Sequence, residues 1–585
     1  MMSTIIRATA VKAKNPLLLV ALLALAACSA GEKQVESTAV EKQRWEAFAA
    51  TTVAEYYRQN PELAVDVGLH EYDGQASDFS LEAADSYATW IDGVIAAAES
   101  YDDLQGIEAF ERDYMVSALR GELFWIRESG FLTNNPVYYS FDLGFDVYVD
   151  RKYAPLDERI VAYTEYVSQL PAMLRTMQDN MEPPLPAPYV ETAHAIFTGL
   201  ADYLENTVPG LFSAVKDEQL QRRFVSANTA AAEAAEQTAN WLAGLRATAT
   251  DEFALGEEGF LAMLRATEGV DITLADLKAA GEFNLKQNLN QLYDACAEFA
   301  PGESTEACVL KVQGRKPPEG AVGGATRQLP DLRRFLEDND IVSIPGNEEA
   351  LVAEAPPHKR WNFAYINIPG PFESGLPSVY YIAPPDPNWS EEDQQAYIAG
   401  ETDLLATTIH EVWPGHFLQF LHANRADNNV GQHFSTYSFV EGWAHYTEQM
   451  MIDAGLGDGD PEYRIGQLLN ALLRNVRYLS AIGLHAEGMT VEESQAMFEK
   501  VAFQDFGNAS QQAFRGTYDP GYLNYTLGKL MINKLRADWT TGRGGEEAWG
   551  QFHDQFLSFG SPPVPLIRRQ MLGEDYDGDS ALLPY

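Results

Sequence analysis

Residues 408–416 read Thr-Ile-His-Glu-Val-Trp-Pro-Gly-His, and an uninterrupted helix cannot bring the two imidazoles of that stretch to one point. His410 and His416 are six apart, about 240° around an α-helix that turns roughly 100° per residue. A shared helix face needs a spacing of three or four. Relative to the familiar His-Glu-x-x-His arrangement, Pro414 and Gly415 occupy two added positions. Proline removes an amide donor and clashes with the preceding turn, and glycine accepts the dihedrals that an unwound turn demands. The segment therefore predicts a helix that is interrupted between its two histidines.

A second cluster, Glu441-Gly442-Trp443-Ala444-His445-Tyr446-Thr447-Glu448, begins 25 residues after His416. Together the two stretches supply the parts of a hydrolytic zinc site, in which three protein ligands leave a fourth position for water. On that reading His410, His416 and Glu441 hold Zn2+, and Glu411 is a general base beside it. His445 and Glu448 follow Glu441 by four and seven positions and so share its helix face. Glu448 is expected behind the metal ligands, orienting an imidazole, with His445 also behind them or structural. The rival arrangement pairs Glu441 with His445 and leaves His416 elsewhere. The plainest alternative is two unrelated histidines beside a Pro-Gly helix stop. His422 and His433 have no comparable spacing support.

These motifs, followed by Pro520-Gly521-Tyr522-Leu523-Asn524-Tyr525-Thr526-Leu527-Gly528, resemble the family of bacterial proteins known as domain of unknown function 885. Many of its members are lipoproteins, and it is grouped with the gluzincin metallopeptidases. The resemblance runs from about residue 45 to the C-terminus. It implies a large, mainly α-helical gluzincin-like body with a small β-sheet beside the metal-binding helix, whose edge strand pairs with extended substrate backbone. It also implies that Tyr525 donates to the oxyanion formed when water attacks a carbonyl. The chain departs from the family pattern twice. Ala481-Ile482-Gly483-Leu484-His485 lacks the acidic residue that accompanies this histidine elsewhere, though His485 is still expected behind the metal ligands or against substrate, and Tyr522-Leu523 replaces a usual Gln-Ala pair. Arg515 is a candidate anchor for a substrate carboxylate, since a guanidinium fork matches that shape, or else one half of a surface salt bridge.

The N-terminus speaks to compartment. Arg7, Lys12 and Lys14 precede an apolar run over 16–27, too short to span a bilayer, that ends Leu25-Ala26-Ala27-Cys28. This is a secretory signal with a lipobox, which resembles bacterial lipoprotein precursors acylated at the equivalent of Cys28. Ser29 at the next position favours the outer membrane. The expected organisation is a signal peptide over 1–27, a lipidated cysteine and flexible tether over 28–40, a helical lobe over 41–355 and a catalytic lobe over 356–585, forming one continuous body. In an oxidising compartment Cys296 and Cys308 are expected to close a small disulfide loop.

With 85 acidic against 41 basic residues, the chain carries −44, which disfavours nucleic acid as partner or substrate, since phosphate binding needs a basic footprint. Apolar residues recur at helical spacing over 41–59, 81–98, 219–247, 274–299 and 467–487. Strand-like composition is confined to 361–368 and 379–383, separated by Pro369-Gly370-Pro371. Ser390-Glu391-Glu392-Asp393 reads as a helix N-cap opening the helix that carries His410. There is no Gly-x-Ser-x-Gly elbow, P-loop or dinucleotide fingerprint. The function expected is a membrane-tethered zinc metallopeptidase acting on peptides in the periplasm or at the cell surface. The alternatives are a non-catalytic lipoprotein that binds peptide or metal, and a hydrolase of non-peptide amides.

Overall fold

A computed structural model describes residues 41–356, 359–360, 363–426, 430–573 and 582–584. The signal, Cys28 and the tether lie outside the described residues. The architecture is mainly helical with one three-stranded sheet. Helices at 41–59, Leu81–Glu99 and Glu218–Leu245 follow the apolar periodicity closely, and Gly106–Arg127 adds a helix not singled out by it. Their starts are chemically marked. Ser80 accepts a hydrogen bond from the Ala83 amide, and Asp217 accepts from the amides of Gln219 and Leu220.

Beyond these come the sheet and, among other elements, seven further helices. Helix α1 is Leu274–Phe299. Strands β1 (Ala350–Glu354), β2 (Ala364–Asn367) and β3 (Ser378–Ile382) follow. Next come α2 (Glu401–Glu411), α3 (His416–Ala423), α4 (Tyr437–Asp453) and α5 (Pro461–Ile482). The last two are α6 (Phe506–Tyr518) and α7 (Asn524–Thr540).

The sheet order is β1-β3-β2, with β1 parallel and β2 antiparallel to β3. The centre of β3 is buried at Tyr380, while β2 is an edge. Two strands follow from composition, but β1 does not. Its five residues, Ala-Leu-Val-Ala-Glu, hold one β-branched side chain, and its pairing partner lies beyond β2 in sequence. A second expectation also needs correction. Ser390 does cap a helix, accepting from the Asp393 amide, but that helix is the short Glu391–Tyr397. The chain leaves helical geometry at Ile398 and restarts after Gly400, so α2 is an independent helix.

Two apolar cores organise the chain. The smaller draws on residues between Val65 and Phe253, with Leu484 added from the C-terminal half. The larger mixes Trp45, Tyr114 and Leu119 with Leu277, Leu292, Ile409, Trp443 and Leu527. The larger core is thus drawn from both sides of residue 355. Polar contacts cross that position too. On α1 and α5, Asn288 donates to Asn475 Oδ1 at 2.6 Å, and Asn475 donates to Asn284 Oδ1 at 2.8 Å. Buried Glu268 accepts from the Ser438 amide at 3.0 Å and from Asn524 at 3.1 Å, joining the starts of α4 and α7. Cys296 near the end of α1 is disulfide-bonded to Cys308 in the helix Thr305–Gln313.

Helices α4 and α7 cross at two glycines. A Cβ on Gly442 would lie 2.6 Å from the Gly528 Cα, and one on Gly528 would lie 1.9 Å from the Ser438 carbonyl oxygen. Only glycine at both positions permits this approach. Gly528→Ala is therefore expected to lower the unfolding free energy by about 3 kcal/mol, the upper part of the range for overpacking. Gly199→Ala, on an exposed helical face with nothing within 4 Å of the new methyl, should raise it by about 0.5–1 kcal/mol. Paired thermal or urea unfolding of the two variants checks the contrast.

Candidate metal centre

The local fold of the first motif is governed by a tight turn at Gly415. Helix α2 ends at Glu411, the Trp413–Pro414 bond is cis, and α3 begins at His416. The Gly415 amide turns back to donate to Ile409 O at 2.9 Å. A Cβ on Gly415 would stand 1.7 Å from the His410 carbonyl oxygen, so the turn closes only on a residue without one. The second motif holds the turn from outside, because Trp443 Nε1 donates to the Pro414 carbonyl at 2.8 Å. The break redirects the second histidine. The rings of His410 and His416 meet at 84° with centroids 4.8 Å apart.

Helix α4 brings Glu441 to the pair. Its Oε2 is 3.2 Å from His410 Nε2 and 3.4 Å from His416 Nε2, and one ligand atom from each residue lies within 4.8 Å of the others. Burial opposes ionisation of Glu441, but the two imidazoles hold its carboxyl well below the usual range. Glu411 lines the same cleft at 7% exposure, where burial raises its pKa against the opposing influence of the neighbouring imidazoles.

Behind the three groups lies a fully buried carboxylate, Glu448. One oxygen is 2.8 Å from His410 Nδ1 and 3.1 Å from Arg474 Nη2, and the other is 3.2 Å from His445 Nδ1. Burial alone would raise the Glu448 pKa, yet Arg474, His445 and the bond from His410 hold it well below the carboxylate range. Burial and the Arg474 charge depress His410, while its bonds to Glu441 and Glu448 more than offset them and lift it to about 9. His445 faces Glu448 rather than the three converging groups. Burial, then the Lys529 charge, holds it neutral.

His485 stands apart from this centre. Its Nε2 lies 2.7 Å from Gly516 O, and its ring stacks on Phe260 outside the cleft lining. Burial lowers its pKa to about 4, so it is neutral. Its polar partner is this backbone carbonyl, and the expectation that His485 adjoins the metal or substrate is corrected, because the ring is outside the cleft lining. His422 bonds Ser343 O at 2.9 Å, and His433 bonds Tyr57 OH at 2.9 Å.

The cleft holds about 1330 Å³, with β2 and Pro369-Gly370-Pro371 along one wall. Tyr525 lines it, its ring nearly parallel to His410 at 6.1 Å. Arg515 is in the cleft, not on an outer surface. It donates to Asp519 Oδ2 at 2.9 Å and to Tyr437 OH at 2.8 Å. Sequence reasoning missed Arg474 and Arg477, both in the cleft lining. The available signal was two arginines three apart in an otherwise apolar helical stretch, which reads equally well as a solvated stripe.

Because the Gly415 turn sets the approach of the two imidazoles, Gly415→Ala should leave far-UV circular dichroism unchanged while divalent metal retained after loading and dialysis falls about tenfold or more below the parent protein. Equal metal content in both proteins would show that the turn does not control the centre.

No curated protein matches the sequence. Two solved structures superpose on nearly the whole chain. A protein of unknown function from Shewanella oneidensis, described as a candidate lipoprotein, has 22% identity and a TM-score of 0.73, covering 90% of this chain and 99% of its own. A candidate lipoprotein from Colwellia psychrerythraea has 16% identity and a TM-score of 0.74, covering 91% and 99%. At these identities the likeness is one of fold. The family model described as "Bacterial protein of unknown function (DUF885)" matches residues 61–571, and the chain, carrying the motifs of this centre within that span, belongs to that family.

Proposed function

We propose that this protein is a zinc peptidase tethered by lipid to the bacterial cell envelope. The reading is carried by the convergence of His410, His416 and Glu441 beside a buried carboxylate, Glu411, that is not one of the three. The donor set suits zinc, for which two imidazoles and one carboxylate form a known hydrolytic set. His410 also has its second ring nitrogen bonded to a carboxylate, the partner that fixes the orientation of a ligating imidazole. Zinc, when bound, supplies Lewis-acid polarisation and makes water acidic enough to deprotonate near neutral pH.

The chain's own residues account for the remaining chemistry. Glu411 takes a proton from the attacking water and passes it to the departing amine, a role favoured by the upward shift that burial imposes on its pKa. Tyr525 donates to the oxyanion that forms on the carbonyl. Strand β2 lines the cleft as a sheet edge, where extended peptide backbone has groups to pair with. A pure binding protein has no use for Glu411, which favours catalysis over carriage.

The tether rests on the lipobox ending at Cys28 and on the fold shared with two candidate lipoproteins. Ser29 favours the outer membrane. Among the described residues no helix is long and apolar enough to cross a membrane.

Glu411→Gln should retain zinc and lose about 10²–10⁴ in kcat on a mixed peptide library, since it removes a proton acceptor and no ligand. Tyr525→Phe should lose about 10²–10³. Loss of zinc from the first variant, or unchanged turnover in the second, would refute the assigned role. Cys28→Ser should move the protein from the membrane to the soluble fraction, because anchoring depends on buried acyl chains. Membrane retention of the processed variant counts against the tether.

A further inference from the structure

Three guanidinium groups surround the ring of Tyr525. The Cζ atoms of Arg474, Arg477 and Arg515 lie 5.7, 4.9 and 5.9 Å from its centre. Like charges gathered in a buried place need counter-charges, since desolvation otherwise outweighs what neutral neighbours return. Arg474 has Glu448 at 3.1 Å, and Arg515 has Asp519 at 2.9 Å. Arg477 differs. It is 8% exposed and donates Nε to the Gln512 side-chain oxygen at 2.8 Å, but no carboxylate among the described residues pairs with it. Its side chain lines the cleft together with Gln512 and Arg515. Burial first, then the Arg515 charge, disfavours its charged form. An anion entering from the cleft would relieve both.

The position of this charge limits what that anion is. The Tyr525 ring adjoins both Arg477, 4.9 Å from its centre, and His410, 6.1 Å from it, so the guanidinium and the imidazole are at most about 11 Å apart. An extended peptide advances about 3.3–3.6 Å per residue, so no more than about three residues span that separation, and a group held by Arg477 is within one or two residues of a carbonyl at the His410 side. A planar fork of donors matches a carboxylate in two parallel hydrogen bonds. We propose that Arg477, assisted by Gln512 and Arg515, binds the terminal α-carboxylate of a peptide, so that the protein releases one or two residues from the C-terminal end. The acyl C–N bond breaks, water adds its hydroxyl to the acyl carbon, and its proton goes to the released amine.

The hydrolytic step of this proposal rests on the peptidase reading, while the binding step does not. Binding is measured with the full-length processed protein in detergent, as Glu411→Gln, both zinc-loaded and chelator-treated. The probes are N-acetyl-Ala-Ala-Phe and its C-terminal amide, titrated calorimetrically. The acid is expected to bind at least tenfold more tightly than the amide in both states. Arg477→Met should erase that preference, and Arg477→Lys should restore part of it. Equal binding of acid and amide by the protein with Arg477 intact overturns the subsite, and needs no variant at that position to fold. A parallel digestion of a ten-residue peptide by the zinc-loaded protein with Glu411 intact reads the reaction. Release of a C-terminal amino acid or dipeptide, slowed at least tenfold by amidation, supports the proposal. Internal cleavage at equal rates for acid and amide overturns it and leaves the peptidase reading standing. A binding preference with no hydrolysis of either peptide upholds the anion subsite and overturns the peptidase reading.

Discussion

The centre depends on a backbone contact, the Gly415 turn closing on the carbonyls of Ile409 and His410. Without it α2 would run on, and its second imidazole would point some two-thirds of a turn away from the first. With it, His416 opens a new helix whose first side chain returns to the end of the old one. The Trp443 indole clamps this turn from α4, the helix that also delivers Glu441. The two motifs therefore position each other. One supplies the break and two imidazoles, and the other supplies the carboxylate between them and the donor that fixes the break.

Behind that turn, Glu448 organises charge. A carboxylate with no solvent exposure is costly unless its oxygens are fully used, and here they meet His410, Arg474 and His445. The arrangement holds the His410 ring from the side away from the cleft, so its other nitrogen faces Glu441. The close crossing of α4 and α7 at Gly442 and Gly528 serves the same end, because it brings Tyr525 alongside the His410 ring. Small residues at 442 and 528, an indole at 443 and a buried acid at 448 are parts of one packing problem.

Much of this was legible in the chain. The helices over 41–59 and Leu274–Phe299, the mainly helical class and the break at Pro414-Gly415 follow from local periodicity and backbone chemistry. Other features were illegible for definable reasons. Strand β1 has little composition to mark it and is ordered by a parallel partner far along the chain. The cap at Ser390 is real, but the exit at Ile398 that ends its helix is not encoded by a proline or glycine at that residue. Arg474 and Arg477 resemble a solvated stripe until α5 is seen to be buried on nearly every face.

By itself the sequence determined which groups are available and where the backbone must open: two imidazoles six apart with Pro-Gly before the second, and a carboxylate cluster on a following helix. It did so because helical periodicity and the restrictions of proline and glycine act over a few residues. Which groups meet was decided by tertiary structure alone. His445 and Glu448 share a helix face with Glu441, yet only Glu441 reaches the imidazoles of both His410 and His416, while Glu448 reaches the far side of one. His485 ends a segment that resembles one of the family's motifs but packs against Phe260 and a backbone carbonyl. Arg477 gains its uncompensated charge only because α5, α6 and α7 converge on the Tyr525 ring. Such placements depend on helix crossings and burial among segments far apart in the chain, which no local pattern of residues specifies.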